Sequence, residues 1–234
     1  MNIIYPIRIN RYLALNNYAT RTGADELIKK GHVNINGRRA VLGDQVYKDD
    51  KVEVKSSAPK KEYVYYAYNK PIGVSTNPEK GCKDILKAIK FPERVFPIGR
   101  LDKDSHGLII VSNDGRITDR LLSPKYIHEK EYVIKTGNPF TDNFLENIQN
   151  GVHFDGFVSK KCKAWRFKKN VFHIVITEGK KRQIRRMCEA LHHQVVDLKR
   201  VRIMNIQLGK INENSFRKIE GKELEDFLKL LNII

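Results

Sequence analysis

The stretch Phe96-Pro97-Ile98-Gly99-Arg100-Leu101-Asp102-Lys103-Asp104-Ser105-His106-Gly107-Leu108-Ile109-Ile110-Val111-Ser112-Asn113-Asp114-Gly115 carries the reading of this chain. Leu108 to Val111 is a short, wholly apolar run, the pattern of a buried strand. It stops at the turn residues Asn113-Asp114-Gly115. A helix is predicted from Ile117 to Leu122, ended by Ser123-Pro124. Ahead of the strand, Asp102 stands between Arg100 and Lys103. That order places a carboxylate at the rim of a sheet, where a rigid scaffold can hold it. Taken alone, an acid between two cations is an ordinary surface ion pair.

Strand and helix patterns alternate irregularly on either side. Tyr63 to Tyr68, Glu131 to Lys135 and Val171 to Thr177 read as strands. Gln183 to Leu191 reads as a helix whose Ile184, Met187, Cys188 and Leu191 recur on one face. Leu224, Phe227, Leu228 and Leu231 repeat that spacing at the C-terminus, as core packing. The segment 56–62, Ser-Ser-Ala-Pro-Lys-Lys-Glu, is small, polar and broken by proline, and reads as a linker. Residues 1–55 before it form a small domain. A short helix spans Ile9 to Leu15, and a second follows Thr20-Arg21-Thr22, with Thr22 and Asp25 spaced as a capping box. Leu27 and Ile28 face inward, Gly31 stops the helix, and Asn36-Gly37 signals a hairpin. Lys51 to Val54 is a last strand. The fold class expected is α+β: a small αβ domain, then a larger mixed, mainly antiparallel sheet with flanking helices over 63–234.

The chain has 234 residues, with 44 Lys and Arg against 27 Asp and Glu, and a formal charge of +17. An excess of this size favours a polyanion, because contacts to phosphates release counterions. The alternative is a basic soluble protein with no such partner. No apolar run approaches the roughly 18 residues of a membrane span, and Met1 to Pro6 lacks a signal-peptide pattern. Cys82, Cys162 and Cys188 are odd in number and far apart, which supports neither a disulfide framework nor a zinc site. A reducing cytoplasm and a monomer are the default expectations.

Residues 1–55 resemble the RNA-binding module first seen in ribosomal protein S-four. Arg11 to Ala14, Ala24 to Gly37 and Asp49 to Val54 carry the likeness. It implies RNA contacts from Arg8, Arg11, Arg21, Lys29, Lys30, Arg38 and Arg39. The Phe96–Gly115 stretch resembles the catalytic motif of bacterial pseudouridine synthases of the RsuA type, which modify ribosomal RNA. Asn69-Lys70-Pro71-Ile72-Gly73-Val74, His128 to Val133 and Glu178 to Met187 resemble three further motifs. Leu198 to Ile206 narrows the likeness to the RluF-like branch, which acts on large-subunit ribosomal RNA. The resemblance covers nearly the whole chain.

That resemblance implies Asp102, Tyr132 and Arg185 as catalytic residues. Detaching uracil from C1′ and rejoining it through C5 asks for an ionised carboxylate near the sugar. Asp102 would serve as nucleophile or as base, and the sequence does not choose. Arg185 would pair with it and orient it. Tyr132 would pack on the base, its hydroxyl a candidate for handling the C5 proton, with Ile184 on the other side. Arg100 would fill the space left by an extruded base or hold the flanking phosphate. Lys70, Arg182 and Arg186 would add RNA contacts. The partners implied are ribosomal RNA and, as an alternative, a transfer RNA. No cofactor or metal is implied, because the isomerisation is redox-neutral.

Two other readings compete. A non-catalytic RNA-binding assembly factor explains the charge but leaves Asp102, Tyr132 and Arg185 unexplained as a set. A metal-dependent nuclease using Asp102, Asp104 and Asp114 is opposed by the cations Arg100 and Lys103 and by the turn that uses Asp114. The charge itself makes a prediction. RNA affinity should fall roughly 10³-fold over a fourfold rise in salt if about six or more phosphates are contacted. A salt series of fluorescence-anisotropy titrations checks it.

Overall fold

The computed structural model describes residues 5–16, 18–19, 21–55, 62–78 and 83–234. Residues 56–61 of the expected linker, Thr20, Cys82, and the side chains of Arg21 and Thr22 lie outside the described residues. The rest gathers into two compact units. One holds residues up to Tyr63 together with Asp114–Arg116 and Ile233, and the other holds the remainder.

The smaller unit runs β1 (Ile7–Arg8), α1 (Ile9–Leu15), α2 (Arg21–Lys29), β2 (Val33–Ile35), β3 (Arg38–Arg39), β4 (Gln45–Val46) and β5 (Val52–Val54). Strands β3-β2-β5 form one sheet, and β1 pairs with β4. Asn36 and Gly37 both take positive φ, 50° and 79°, and close the hairpin Ile35↔Arg38 with the backbone a two-residue loop demands. Ile9, Leu13, Ala24, Ile28, Val33 and Val46 are buried together. The expected capping box rests on the side chain of Thr22, which lies outside the described residues. Helix α2 begins at Arg21, which puts Thr22 inside it, and the Asp25 carboxylate accepts from Asn10 Nδ2 at 2.9 Å.

The larger unit continues with β6 (Tyr65–Lys70), α3 (Ile85–Ala88), β7 (Phe96–Ile98), β8 (His106–Ser112), α4 (Arg116–Leu122), β9 (Lys130–Thr136), α5 (Asp142–Asn150), β10 (His153–Phe154), β11 (Phe157–Val158) and β12 (Lys163–Lys168). It ends with β13 (Val171–Ile176), α6 (Gln183–Ala190), β14 (Val195–Ile203), β15 (Ile206–Gln207), β16 (Phe216–Lys218) and α7 (Gly221–Leu230). Nine strands form a mixed sheet along the path β12-β13-β9-β14-β8-β6-β16, with β7 on β8 and β15 on β14. The α+β class therefore holds, with antiparallel pairing throughout the named strands except between β14 and β8.

Helices α5 and α6 cover one face of the β12–β14 half. Phe144, Leu145 and Ile148 from α5 meet Ile184, Met187 and Cys188 from α6 over Phe172, Ile174, Ile134 and Leu198. The expected stripe on α6 is thus a packing face. On the other half, Tyr66, Tyr68, Ile109 and Val111 pack with Ile85 and Phe91. The first strand of this unit starts later than its apolar run suggests and extends to Lys70, because Asn69 and Lys70 pair with Leu108 and Gly107.

The parallel junction is short, with Lys199↔His106 and Arg200↔Gly107 as its registered pairs. Gly107 has φ 101°, and a Cβ there would lie 2.3 Å from the Arg200 carbonyl oxygen. Gly107→Ala is therefore expected to destabilise the protein by about 3 kcal/mol or more through strain and clash. Gly115→Ala, with open space around it, should change stability by only about 0.5 kcal/mol either way. Thermal unfolding of the two variants measures the difference.

Candidate active site

The segment between β7 and β8 is held by its backbone. Thr76 Oγ1 accepts from Leu101 N at 3.0 Å and donates to Leu101 O at 2.7 Å, both buried. Ser105 N donates to Asp102 O, and Gly73 N donates to Lys103 O at 2.8 Å. These bonds fix the chain on both sides of Asp102. Its half-buried carboxylate accepts no hydrogen bond and joins no ion pair among the described residues. It lines a cleft of about 430 Å³ with Gly73, Thr76, Arg100, Lys103 and Arg182.

Cations lie beneath this segment. Lys70 is fully buried, and its ammonium donates to Pro71 O at 2.9 Å and Val74 O at 2.7 Å. Burial pushes its pKa down to about 8, Arg200 pushes the same way, and Asp102 and Asp104 oppose them. The expectation that Lys70 contacts RNA is corrected here, because the ammonium points inward to carbonyls. Arg200 is also buried; its Nε donates to Leu108 O at 2.6 Å and its Nη1 to Arg100 O at 3.4 Å. Its guanidinium lies 6.0 Å from the Tyr132 ring centre. Lys130 is a third cation here, lowered to about 8 by burial and by Arg200. Arg200, Lys130 and Thr76 were given no role by the sequence reading. Alternation along β14, with Leu198 and Arg200 on one face, is the signal that places Arg200 inside.

Tyr132 and Ile184 are buried in the same apolar cluster as Leu101, the neighbour of Asp102. The structure thus brings the aspartate segment, the tyrosine and the isoleucine together. Arg185 is close by, but the expected Asp102–Arg185 pair is replaced by another. Arg185 Nε lies 3.3 Å from Asp104 Oδ2, and its Nη2 donates to Asp104 O at 2.8 Å. Its Nη1 donates to Val195 O at 3.0 Å. Arg182, in the left-handed conformation just before α6, grips Asp104 with both Nη atoms at 3.1 and 2.9 Å. Burial raises the Asp104 pKa, but hydrogen bonds from Arg182 and the charges of Arg185 and Arg182 outweigh it and hold the carboxyl below its usual value. Asp104 is the acid that organises the arginines, and that leaves Asp102 unengaged.

The remaining expected RNA contacts divide. The Arg100 side chain is exposed and holds no hydrogen bond or ion pair among the described residues. Arg186 pairs with Asp155 at 3.1 Å. In the smaller unit, Arg8, Arg11, Lys29 and Lys30 are exposed. Arg38 pairs with Asp44 at 2.9 Å, and Arg39 donates to Lys29 O at the end of α2. Asp114 is buried and bridged to Arg116 at 2.8 Å. Among the described residues no three His, Cys, Asp or Glu side chains gather to hold a metal ion, and none of the helices is long and apolar enough to cross a membrane.

A family model described as RNA pseudouridylate synthase matches residues 64–190, a span that contains Asp102, Tyr132 and Arg185. The dual-specificity RNA pseudouridine synthase RluF of Salmonella typhi is 41% identical over 229 residues, 96% of this chain and 79% of that protein. The ribosomal large subunit pseudouridine synthase B of Bacillus subtilis is 32% identical, covering 93% of this chain and 94% of its own length. A solved pseudouridylate synthase superposes with a TM-score of 0.70 at 26% identity, over 96% of this chain and 99% of that one.

The lowered Asp104 carboxyl fixes a pH dependence. A depressed folded pKa contributes stability above the unfolded value near 3.9, and that contribution is lost as pH falls through the folded value. Asp104→Asn should therefore lower the melting temperature modestly at neutral pH. The gap to wild type should close as pH falls below about 4, as thermal unfolding from neutral to acid pH will read.

Proposed function

The chain belongs to the RNA pseudouridine synthases, and on that premise we propose that it isomerises one uridine of large-subunit ribosomal RNA. The observation that carries the site assignment is the uncommitted Asp102 carboxylate, held by backbone bonds in a cleft walled by cations. The target nucleotide leaves its stack, which costs least in a loop or bulge. Asp102 then meets the sugar. It either attacks C1′ as the N1–C1′ bond breaks or removes a sugar proton. Both roles need the same carboxylate in the same place. Uracil turns and C5 bonds to C1′ as the Asp102–C1′ bond breaks, or as the sugar recovers the proton that Asp102 took; the C5 proton then leaves and N1 regains a proton. Atoms balance without a co-reactant.

Tyr132 and Ile184, which share a buried cluster with Leu101, bracket the base, and the tyrosine hydroxyl handles the C5 proton. Arg185 and Arg182, tied to Asp104, hold the wall and meet flanking phosphate. Arg100, exposed and unpaired among the described residues, enters the gap left by the base. Residues 1–55 bind RNA through Arg8, Arg11, Lys29 and Lys30, in a cytoplasmic setting. A second reading, in which more than one RNA is accepted, is favoured by the dual specificity of the Salmonella relative, and a transfer RNA is the candidate for the second substrate.

A pseudouridine map of ribosomal and transfer RNA from cells lacking the protein, complemented with wild type or Asp102→Asn, tests both readings. One large-subunit site should vanish and return only with wild type. In purified form Asp102→Asn should lose activity by about a thousandfold or more while keeping RNA affinity within a few-fold. A map that keeps every site overturns the substrate assignment.

A further inference from the structure

The β12–β14 half of the sheet has a second face, turned away from α5 and α6. Ala164, Phe172, Ile174 and Tyr132 point into the helix-covered core. Their alternates point the other way. One cross-strand row on that face runs Trp165↔His173↔Val133↔Lys199. Such a row crosses three strand spacings, about 14 Å.

The edge of this face is aromatic and open. Trp165 is 43% exposed and Phe167 62% exposed. The register shift between Arg166 and Lys168 lets both rings reach the same histidine. Trp165 stacks on His173 at 4.9 Å with an interplanar angle of 19°, and Phe167 meets it edge-on at 5.7 Å. His173 is fixed by Glu131, 2.9 Å from its Nδ1. The acids of the face are already matched: Glu131 also takes Arg202 at 2.9 Å, and Asp197 takes His106 at 3.0 Å. The cations are in excess. Lys135, Lys168 and Lys199 form no ion pair among the described residues, and Lys168 Nζ sits 5.6 Å from the Phe167 ring centre.

We propose that this face is a second RNA site, which stacks unpaired bases on Trp165 and Phe167 while Lys135, Lys168 and Lys199 meet the phosphates. The proposal rests on the reading that the substrate is RNA. Exposed rings bordered by unmatched cations fit a polyanion that also offers flat apolar faces, and a single-stranded nucleic acid has both. Duplex RNA keeps its bases stacked on one another and presents only its backbone. The site lies outside the cleft of Asp102. It would hold a single-stranded segment next to the modified nucleotide and so favour RNA that is still unfolded.

Trp165 is the only tryptophan in the chain, so its emission reports on this face alone. The full-length protein is titrated with an oligoadenylate of about eight nucleotides and with a duplex of equal length. The single strand is expected to quench Trp165 saturably and the duplex to leave it unchanged. Phe167→Ala should weaken the quench-derived affinity about fivefold or more, whereas Phe167→Tyr, which keeps a ring, should restore it. Circular dichroism confirms that each variant is folded. Asp102→Asn should quench as wild type does, so a failure of isomerisation and a failure of this site are read separately. Three outcomes overturn the proposal. Labelled oligoadenylate binds by anisotropy with no change in Trp165 emission; single strand and duplex quench equally; or emission shifts with protein concentration in the absence of RNA, which marks the face as a contact between copies.

Discussion

The site depends on the seam where β14 runs parallel to β8. On one side of it lie the segment bearing Arg100 and Asp102 and the strands that support it. On the other lie Tyr132, Ile184 and Arg185. Two registered pairs join the halves, and the Arg200 guanidinium adds its bonds to Leu108 O and Arg100 O. Only a residue without a side chain lets the Arg200 backbone come so close at Gly107. A guanidinium buried this deeply is costly unless its donors find acceptors. Here Nε and Nη1 find the carbonyls of Leu108 in β8 and of Arg100 beside Asp102, while Nη2 is buried without a hydrogen-bond partner among the described residues, so Arg200 ties β14 to the Asp102 segment with part of its burial cost uncompensated.

Two acids, two residues apart, divide the work beside that seam. Asp104 receives a bidentate grip from Arg182 and an ion pair from Arg185. Charge-assisted pairs of this geometry are directional and lock both partners. Asp102 is held through its backbone instead, which leaves its carboxylate available to a substrate. An arginine bonded straight to the Asp102 carboxylate would have to be displaced before that acid could meet a substrate. Routing both arginines to Asp104 removes that barrier and keeps their charge at the wall.

Short-range features were legible in the sequence because their causes are local. Asn36-Gly37 closes a hairpin whatever surrounds it, the run Leu108–Val111 is a strand by its apolarity, and the stripe on α6 has one way to pack. The motif strings pointed to Asp102, Tyr132 and Ile184, and the structure gathers Tyr132 and Ile184 in one cluster with Leu101, the neighbour of Asp102. What the sequence hid depends on partners distant along the chain. Arg182 and Asp104 stand 78 residues apart, so no pattern announces that they meet. Lys70 reads as a surface cation by type, and only the carbonyls of Pro71 and Val74 make its burial tolerable. Strand β12 escapes a hydrophobicity reading because most of its residues are exposed.

The charge of +17 is accordingly two populations with different physics. Arg182, Arg185 and Arg200 are bound to carboxylates or carbonyls, so their positions are fixed before RNA arrives. Lys29, Lys30, Lys135 and Lys168 are exposed and carry no ion pair among the described residues, so they retain the counterions whose release drives association with a polyanion. Salt acts on the exposed lysines and leaves the preorganised arginines far less affected, because interactions in a partly buried cluster are screened less than those at the surface. Such a division suits an enzyme that meets a large, variable RNA over much of its surface and, on the proposed function, places one uridine at Asp102.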